Sequence, residues 1–233
     1  VYYKENGYLG LLSYDKENDD LLFCTKSMIG GEYAEHFKEL FYKQKCYKDA
    51  ALVKVKEGYT LLFEVIDPEF DPHIINYEQP RLYLLDVVKN NMESQFEEYS
   101  AVHFLSWQIE CNCKVPATTI TSARELIQFV EDVQNENTDL PLDHEGYVLE
   151  DANGYRVKLK TPYYLKWKKL RGMLPSIKKY GKLLNTSMLH DPEMIYFYDF
   201  VRKLYEQDPE NQMNILQLRK LFYQEYKDVL NCK

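Results

Sequence analysis

The sequence lacks any apolar run long enough to span a membrane, and no charged and then apolar leader precedes a small-residue cleavage site. These absences argue against a membrane-spanning protein and against a secreted one. The sequence also has no internal repeat, no low-complexity stretch and no long linker rich in glycine and serine. We therefore expect a soluble, intracellular protein located in the cytoplasm.

The sequence also lacks a recognisable cysteine framework. The five cysteines are an odd number with no repeated pair spacing, so neither a disulfide framework nor a zinc site is indicated. Only one residue separates Cys111 from Cys113, which is short for two zinc ligands and favours ordinary thiols. The cysteines are Cys24, Cys46, Cys111, Cys113 and Cys232.

Positive charge is in deficit overall but concentrated in one segment. The net charge of −8 argues against a protein that coats nucleic acid indiscriminately, because phosphate binding depends on Lys and Arg. From Tyr155 to Lys182, however, there is no Asp or Glu. We expect this run to supply a triphosphate pocket and part of an RNA path, with a solvated basic face as the alternative. Its basic residues are Arg156, Lys158, Lys160, Lys166, Lys168, Lys169, Arg171, Lys178, Lys179 and Lys182.

Short apolar runs rich in β-branched and aromatic residues predict a sheet-rich body. A chain of 233 residues and 27.8 kDa suits one medium domain with a small appendage. Strands are predicted at Leu21–Thr25, Ala51–Val55, Tyr59–Ile66, Arg81–Val88 and Val102–Trp107.

Helical patterns interrupt this body and then replace it. Glu32–Gln44 is one predicted helix, and Ser122–Glu125 has the form of a capping box that begins another. Beyond Pro175 the pattern is helical, at Pro192–Gln207 and Ile215–Leu230. The fold class is therefore predicted as α+β with a small C-terminal helical region.

An Asn-Gly pair at residues 153–154 predicts a two-residue hairpin turn between strands at Tyr147–Glu150 and Tyr155–Lys160. With this turn, Leu149 lies opposite Lys158. A carboxylate beside two ammonium groups on one face favours a phosphate-and-metal pocket, and a plain cross-strand ion pair is the alternative. The residues predicted to share that face are Glu145, Lys158 and Lys160.

Four short segments occur in a fixed order along the chain. They are Lys4-Glu-Asn-Gly7, Phe63-Glu64-Val65, Glu145-Gly-Tyr-Val148 and Lys158-Leu-Lys160. Each alone is common in unrelated proteins, so only their order and spacing carry weight. Together they resemble the covalent nucleotidyltransferase superfamily of ligases and capping enzymes, which has a Lys-x-Asp-Gly nucleophile motif followed by such segments.

Within that superfamily the chain is most similar to the RNA ligases of the phage tRNA-repair and fungal tRNA ligase type. The pattern over residues 63–86, with Phe-Glu-Val-Ile-Asp-Pro, His-Ile-Ile-Asn-Tyr and Arg-Leu-Tyr-Leu-Leu-Asp, resembles that family's extended third motif. Residues 158–164, Lys-Leu-Lys-Thr-Pro-Tyr-Tyr, resemble its fifth motif. The resemblance covers residues 4–168 and implies a nucleotidyltransferase (ATP-grasp-like ligase adenylation) fold, with an adenylation domain at residues 1–172 and a helical appendage at residues 173–233.

The resemblance also implies a mechanism and a set of site residues. Lys4 would attack the α-phosphorus of ATP, and AMP would then pass to an RNA 5′-phosphate that a 3′-hydroxyl attacks, as in tRNA repair. Lys158 and Lys160 would assist catalysis, and Glu145 would bind Mg²⁺ or Mn²⁺. The residues expected to bind ATP are Lys4, Glu5, Asn6, Gly7, Lys26, Glu64, Glu145, Lys158, Lys160 and Tyr164. Glu64 is flanked by apolar residues, and an apolar setting is costly for a carboxylate that binds nothing.

Some residues depart from the family pattern. Asn6 replaces the commoner Asp of the nucleophile motif, His73 stands where phage-type sequences tend to carry Arg, and Ser27 interrupts a usual Lys-Gly-Ser. The nucleophile motif begins almost at the first residue, a valine, so we expect natural sequence upstream that helps to bind ATP phosphates. The other histidines, expected to be ordinary surface or core residues, are His36, His103, His144 and His190.

Three readings of the function remain open from the sequence. The first is an ATP-dependent RNA ligase. The second is a DNA ligase or capping enzyme. Those enzymes typically continue into a β-barrel domain, whereas the C-terminal tail of this chain is predicted to be helical. The third is a catalytically inactive RNA-binding module that retains the fold, and the joint presence of Lys4, Glu64, Glu145, Lys158 and Lys160 argues against it.

Overall fold

The computed structural model describes residues 1–92, 96–183, 187, 189 and 191–226. Cys232 and His190 lie outside these residues, as do residues 227–230 of the last predicted helix. The chain divides into two compact units, the first with residues 1–71, 77–128 and 146–159, and the second with residues 72–76, 129–145 and 160–233. Within the described part, no helix is both long and apolar enough to cross a membrane.

The fold is α+β, as predicted, with eight strands and seven helices in the described part of the chain. In chain order they are β1 (Tyr2–Lys4), β2 (Tyr8–Asp15), β3 (Asp20–Thr25), α1 (Glu32–Lys43), α2 (Lys48–Lys56), β4 (Tyr59–Ile66), β5 (Arg81–Lys89), α3 (Tyr99–Ile109), β6 (Asn112–Cys113), α4 (Ala123–Gln134), β7 (Gly146–Glu150), β8 (Arg156–Lys160), α5 (Pro162–Tyr180), α6 (Pro192–Gln207) and α7 (Ile215–Glu225).

The first unit is built on a five-stranded sheet of order β3-β2-β4-β5-β6. All pairs are antiparallel except β5 with β6, which is parallel. Helix α1 buries Phe37 and Phe41, four residues apart on one face, against Phe23 and Phe63. Full burial of each such side chain stabilises the fold by about 1.5–3 kcal/mol. The core therefore fixes β2, which follows the nucleophile motif, and β4, which contains Glu64.

Two predicted strands are helices, and this part of the prediction was wrong. Ala51–Val55 lies in α2, where Ala51 and Val55 are buried one helical turn apart. Val102–Trp107 lies in α3, whose buried Val102, Leu105 and Ile109 recur at helical spacing. Both runs are short and apolar, and such runs do not by themselves distinguish a buried helix from a strand.

The predicted hairpin is present, but its turn is one residue longer. The Asp151 N–H donates to the Tyr155 carbonyl, and the Gly154 N–H donates to the Asp151 carbonyl, at 3.0 Å each. Three residues therefore separate the paired positions, with Gly154 at φ +79°, in the left-handed region that favours glycine. This shifts the register by one residue, so Leu149 does not lie opposite Lys158 as predicted. In the three-stranded sheet β1-β7-β8, Tyr3 pairs with Tyr147 and Lys4 with Gly146.

The second unit is helical around α5, α6 and α7. Trp167 is fully buried against Phe197 and Tyr223. Helix α6 has the predicted bounds, and Asp191 caps it by accepting a hydrogen bond from the Met194 N–H. Helix α5 is continuous across residues 172–173, and the domain boundary predicted there stays a prediction.

Candidate active site

The nucleophile motif is a tight loop between β1 and β2. Lys4 ends β1, and its Nζ donates to the Glu5 carbonyl at 3.1 Å. The Asn6 N–H donates to the Tyr77 hydroxyl, which in turn donates to the Glu5 carboxylate, both at 2.9 Å. Burial raises the pKa of Glu5, and the hydrogen bond from Tyr77 opposes this shift. Tyr77 therefore ties together the two residues that follow Lys4.

A second tie holds the loop to the central sheet. The Gly7 N–H donates to Oε1 of Glu64 at 2.8 Å. A Cβ atom on Gly7 would lie 2.1 Å from the Val65 carbonyl oxygen, so only glycine fits. Glu64 is 9% exposed and is aligned with Leu9 in the pairing of β4 with β2. Its carboxylate thus has a structural partner in Gly7, and the ligand contact that the sequence predicted for it stays a prediction.

A cavity of about 410 Å³ in the first unit brings several of the predicted residues together. Lys26 and Lys158 are exposed at this cavity, and the side chain of neither forms an ion pair or a hydrogen bond within the described residues. Leu9, Leu85 and Val148 add apolar surface to its walls. The predicted site residues that line it are Lys4, Glu5, Gly7, Lys26, Glu64 and Lys158, and Asn6 is buried in the same loop.

The same cavity contains a buried charged cluster, defined as Asp86, Lys114, Glu150 and Arg156. Lys114 Nζ lies 3.2 Å from Asp86 Oδ2 and 3.7 Å from Glu150 Oε2. Arg156 forms ion pairs with both carboxylates, through Nε to Glu150 at 2.8 Å and through Nη2 to Asp86. Burial raises the pKa of Asp86, and the two cations oppose this shift. The Arg156 guanidinium also stacks 3.7 Å above the ring centroid of Phe96.

Three predicted site residues belong to the second unit. Lys160 Nζ lies 3.2 Å from Glu145 Oε1 and 4.6 Å from the ring centroid of Tyr164. Burial lowers the pKa of Lys160, but Glu145 and Tyr164 raise it, and the net shift is upward. Thr161 Oγ1 accepts from the Tyr164 N–H at 3.1 Å and caps α5. The ion pair between Glu145 and Lys160 that the sequence left open is therefore formed.

Metal binding by Glu145 stays a prediction. Among the residues that the structure describes, no group of three or more His, Cys, Asp or Glu side chains is arranged to hold a metal ion. Mg²⁺ binds through one or two carboxylates together with water and substrate phosphates, and Glu145 is suited to be such a ligand.

Sequence reasoning missed four residues around this site: Tyr77, Lys114, Glu150 and Arg156. Tyr77 lay within the extended third motif without a role, and Arg156 was included only in the basic run expected to bind phosphates, not as the partner of buried carboxylates. No sequence signal pointed to Lys114, which is 28 residues from Asp86. Burial would have been the useful indicator, because Lys114 is only 6% exposed and a buried lysine requires a partner.

Comparison with known proteins agrees with the fold and the motifs. A solved structure named "Putative ATP-dependent DNA ligase from Aquifex aeolicus" matches with a TM-score of 0.52 and 14% identity. The match covers 98% of this chain and 58% of that one, so this chain spans little more than half of its neighbour's length. The likeness shows the nucleotidyltransferase fold of ATP-dependent ligases that the sequence predicted. No curated protein sequence matches the chain. A family model described as RNA ligase matches residues 1–164, and the chain therefore belongs to the RNA ligase family.

Proposed function

We propose that the protein is an ATP-dependent RNA ligase in which Lys4 becomes covalently joined to AMP. The observation that carries this proposal is the cavity that gathers Lys4, Lys26, Glu64 and Lys158 in the first unit. Lys4, Glu64 and Lys158 come from three motifs that are distant in sequence, and Lys26 lies between the first two of these motifs. Family membership supports the same activity, because the matched residues include all four segments found in the sequence.

The residues of the cavity fit ATP. The ammonium groups of Lys26 and Lys158 are exposed there and suit the phosphates. The apolar side chains of Leu9, Leu85 and Val148 suit a flat base. Bound Mg²⁺ would neutralise phosphate charge, and Glu145 is our candidate to hold it.

Lys4 is the proposed nucleophile. Its Nζ, after losing a proton, would form a bond to the α-phosphorus of ATP, and the bond to pyrophosphate would break. The AMP would then pass to the oxygen of an RNA 5′-phosphate. A 3′-hydroxyl would displace it and form the phosphodiester bond. Lys158 and Lys160 would stabilise charge on the transferring phosphoryl groups. A role in tRNA repair and a cytoplasmic location are part of this proposal.

Incubation of the protein with α-labelled ATP and Mg²⁺ tests the first step. We expect an acid-labile protein–AMP adduct that Lys4→Ala abolishes. Lys4→Arg should abolish it as well, because a guanidinium group stays protonated at neutral pH. Lys43→Ala is the matched control, since Lys43 is an exposed lysine on α1, remote in sequence from every motif.

Two results would contradict the proposal. Labelling of the Lys4→Ala protein to the wild-type extent would show that another residue is the nucleophile. Labelling by GTP in place of ATP would favour a capping activity. The Lys4→Ala protein should still join RNA that already carries a 5′-adenylate, because that step needs no lysyl–AMP.

A further inference from the structure

Helix α5 of the second unit carries six basic residues and no acidic one. The structure divides these residues into two groups. Lys166 forms an ion pair with Glu193 of α6, and Lys178 Nζ donates to the Asn211 carbonyl at 2.7 Å. These two lysines therefore serve the packing of the helical unit itself.

The other group has no such partner. Within the described residues, no ion pair with a carboxylate is formed by Lys168, Lys169, Arg171 or Lys179. Lys168 and Lys179 are exposed, and Arg171 is partly so. The sequence alone could not separate these residues from Lys166 and Lys178, because all lie in the same basic run.

Two of the unpaired cations, Lys168 and Lys179, lie on one continuous exposed strip of the helix. At 3.6 residues per turn, the exposed positions Leu165, Lys168, Gly172, Pro175 and Lys179 fall within about 80° of the helix circumference. Lys168 and Lys179 are 11 residues apart along α5, so they are separated by about 16 Å along its axis. That length corresponds to about five stacked nucleotides of one strand at about 3.4 Å each.

The centre of the strip is open. A Cβ atom on Gly172 would meet no atom within 4 Å, and glycine itself adds no side chain. A polymer backbone could therefore approach the helix between Lys168 and Lys179. Leu165 is the only large apolar side chain on the strip, which makes the surface unsuited to an apolar protein partner.

The electrostatics of Lys168 agree with an anion site. Lys160 lowers the pKa of Lys168, and Arg171 acts in the same direction. Lys160 and Lys168 both lie against the ring of Tyr164, at 4.6 and 5.9 Å from its centroid. Repulsion among these cations would be relieved by a bound phosphate.

We propose that the exposed strip of α5 carrying Lys168 and Lys179 binds the phosphate backbone of the RNA substrate. This inference rests on the proposed ligase function and adds the surface that holds the RNA. Contacts to phosphate carry no base information, so the strip binds RNA without regard to sequence.

The test compares two double variants of the chain. Lys168→Gln with Lys179→Gln removes two charges from the strip, and Lys203→Gln with Lys220→Gln removes two from exposed lysines of α6 and α7. Binding of a short, fluorescein-labelled, 5′-phosphorylated RNA is measured by anisotropy at several salt concentrations. Each lost phosphate contact lowers the slope of log affinity against log salt by about 0.7 for a single strand. Between about 50 and about 200 mM salt, the wild type should therefore lose about sevenfold more affinity than the strip variant.

The outcomes separate this inference from the proposed function. Weaker binding with a shallower salt slope in the strip variant alone supports the strip as the RNA surface. Equal affinity and equal slope in wild type and strip variant would overturn it, as would the same loss in both double variants. Lys168→Arg with Lys179→Arg should restore binding, which a general folding defect would not allow. Labelling of Lys4 by ATP, measured on the same preparations, reports on the proposed function independently of RNA binding.

Discussion

The hydroxyl group of Tyr77 offers the sharpest test of how the nucleophile loop is held. It accepts a hydrogen bond from the Asn6 N–H and donates one to the Glu5 carboxylate, each at 2.9 Å. Tyr77→Phe removes this one oxygen and keeps the ring. Both contacts would then be lost at once, next to the residue that we propose as nucleophile.

The expected magnitude follows from the two bonds. A neutral hydrogen bond contributes about 0.5–1.5 kcal/mol net, and one to a charged group about 1.5–3 kcal/mol. Asn6 is 3% exposed, so water cannot readily replace the bond to its N–H. We therefore expect Tyr77→Phe to lower the free energy of unfolding by about 2 to 4 kcal/mol. A displacement of Lys4 by about 1 Å would also slow protein–AMP formation by about 100-fold at saturating ATP.

Urea unfolding, hydrogen exchange at the Asn6 amide and the rate of protein–AMP formation measure these effects. Tyr59→Phe is the matched control, because the Tyr59 hydroxyl forms no hydrogen bond in the part of the chain that the structure describes. Loss of stability below about 0.5 kcal/mol, with unchanged exchange at Asn6, would refute the tie through Tyr77. Faster exchange with an unchanged rate of adduct formation would show that the tie does not position Lys4.

Three further predictions follow from local packing and burial. Gly7→Ala should destabilise the protein by about 1–3 kcal/mol or more in urea unfolding, since its Cβ would lie 2.1 Å from a carbonyl oxygen. Gly172→Ala, within a helix and with no atom near the new Cβ, should instead stabilise the protein by about 0.5–1 kcal/mol. Lys114→Met should lower the free energy of unfolding in urea by about 2–3 kcal/mol. This is less than the loss expected when a buried carboxylate keeps no cation, because Arg156 remains beside Asp86. An unchanged urea midpoint would contradict this prediction. Burial raises the pKa of Cys46 to about 11, so about one Cys46 thiol in a thousand is ionised near pH 8. The rate of Cys46 alkylation, measured by mass spectrometry, should therefore be slow at pH 8 and rise about tenfold per pH unit.

Sequence reasoning succeeded where local pattern and burial agree. Tyr59–Ile66 and Pro192–Gln207 were predicted with the bounds that the structure shows. The first is a buried central strand rich in β-branched and aromatic residues, and the second begins with a capping Asp and a Pro. In these cases the local preferences and the tertiary packing favour the same conformation, so neither overrides the other.

It failed where one residue of spacing decides the geometry. The Asn-Gly pair indicated a turn correctly, but whether the loop has two or three residues depends on the backbone of Gly154 and on the pairing of Asp151 with Tyr155. A shift of one residue changes every cross-strand neighbour. The residues of the candidate site nevertheless came from ordered motifs, which do not depend on that register.

The charge of the cavity illustrates why composition alone could not predict the site. Five cations line it (Lys4, Lys26, Lys114, Arg156 and Lys158) against four carboxylates (Glu5, Glu64, Asp86 and Glu150). Two of the cations and two of the carboxylates form the buried charged cluster, which is neutral as a whole. These charges tolerate desolvation only because they are paired. The pairing joins residues up to 70 positions apart in the sequence, as in Asp86 and Arg156.

Arg156 is part of the basic run, but its charge is paired within the cluster. Within the described part of the chain, the charges of Lys26 and Lys158 are unpaired and can bind an anion. The same run therefore supplies both a structural cation and a phosphate-binding one, and only tertiary burial distinguishes them.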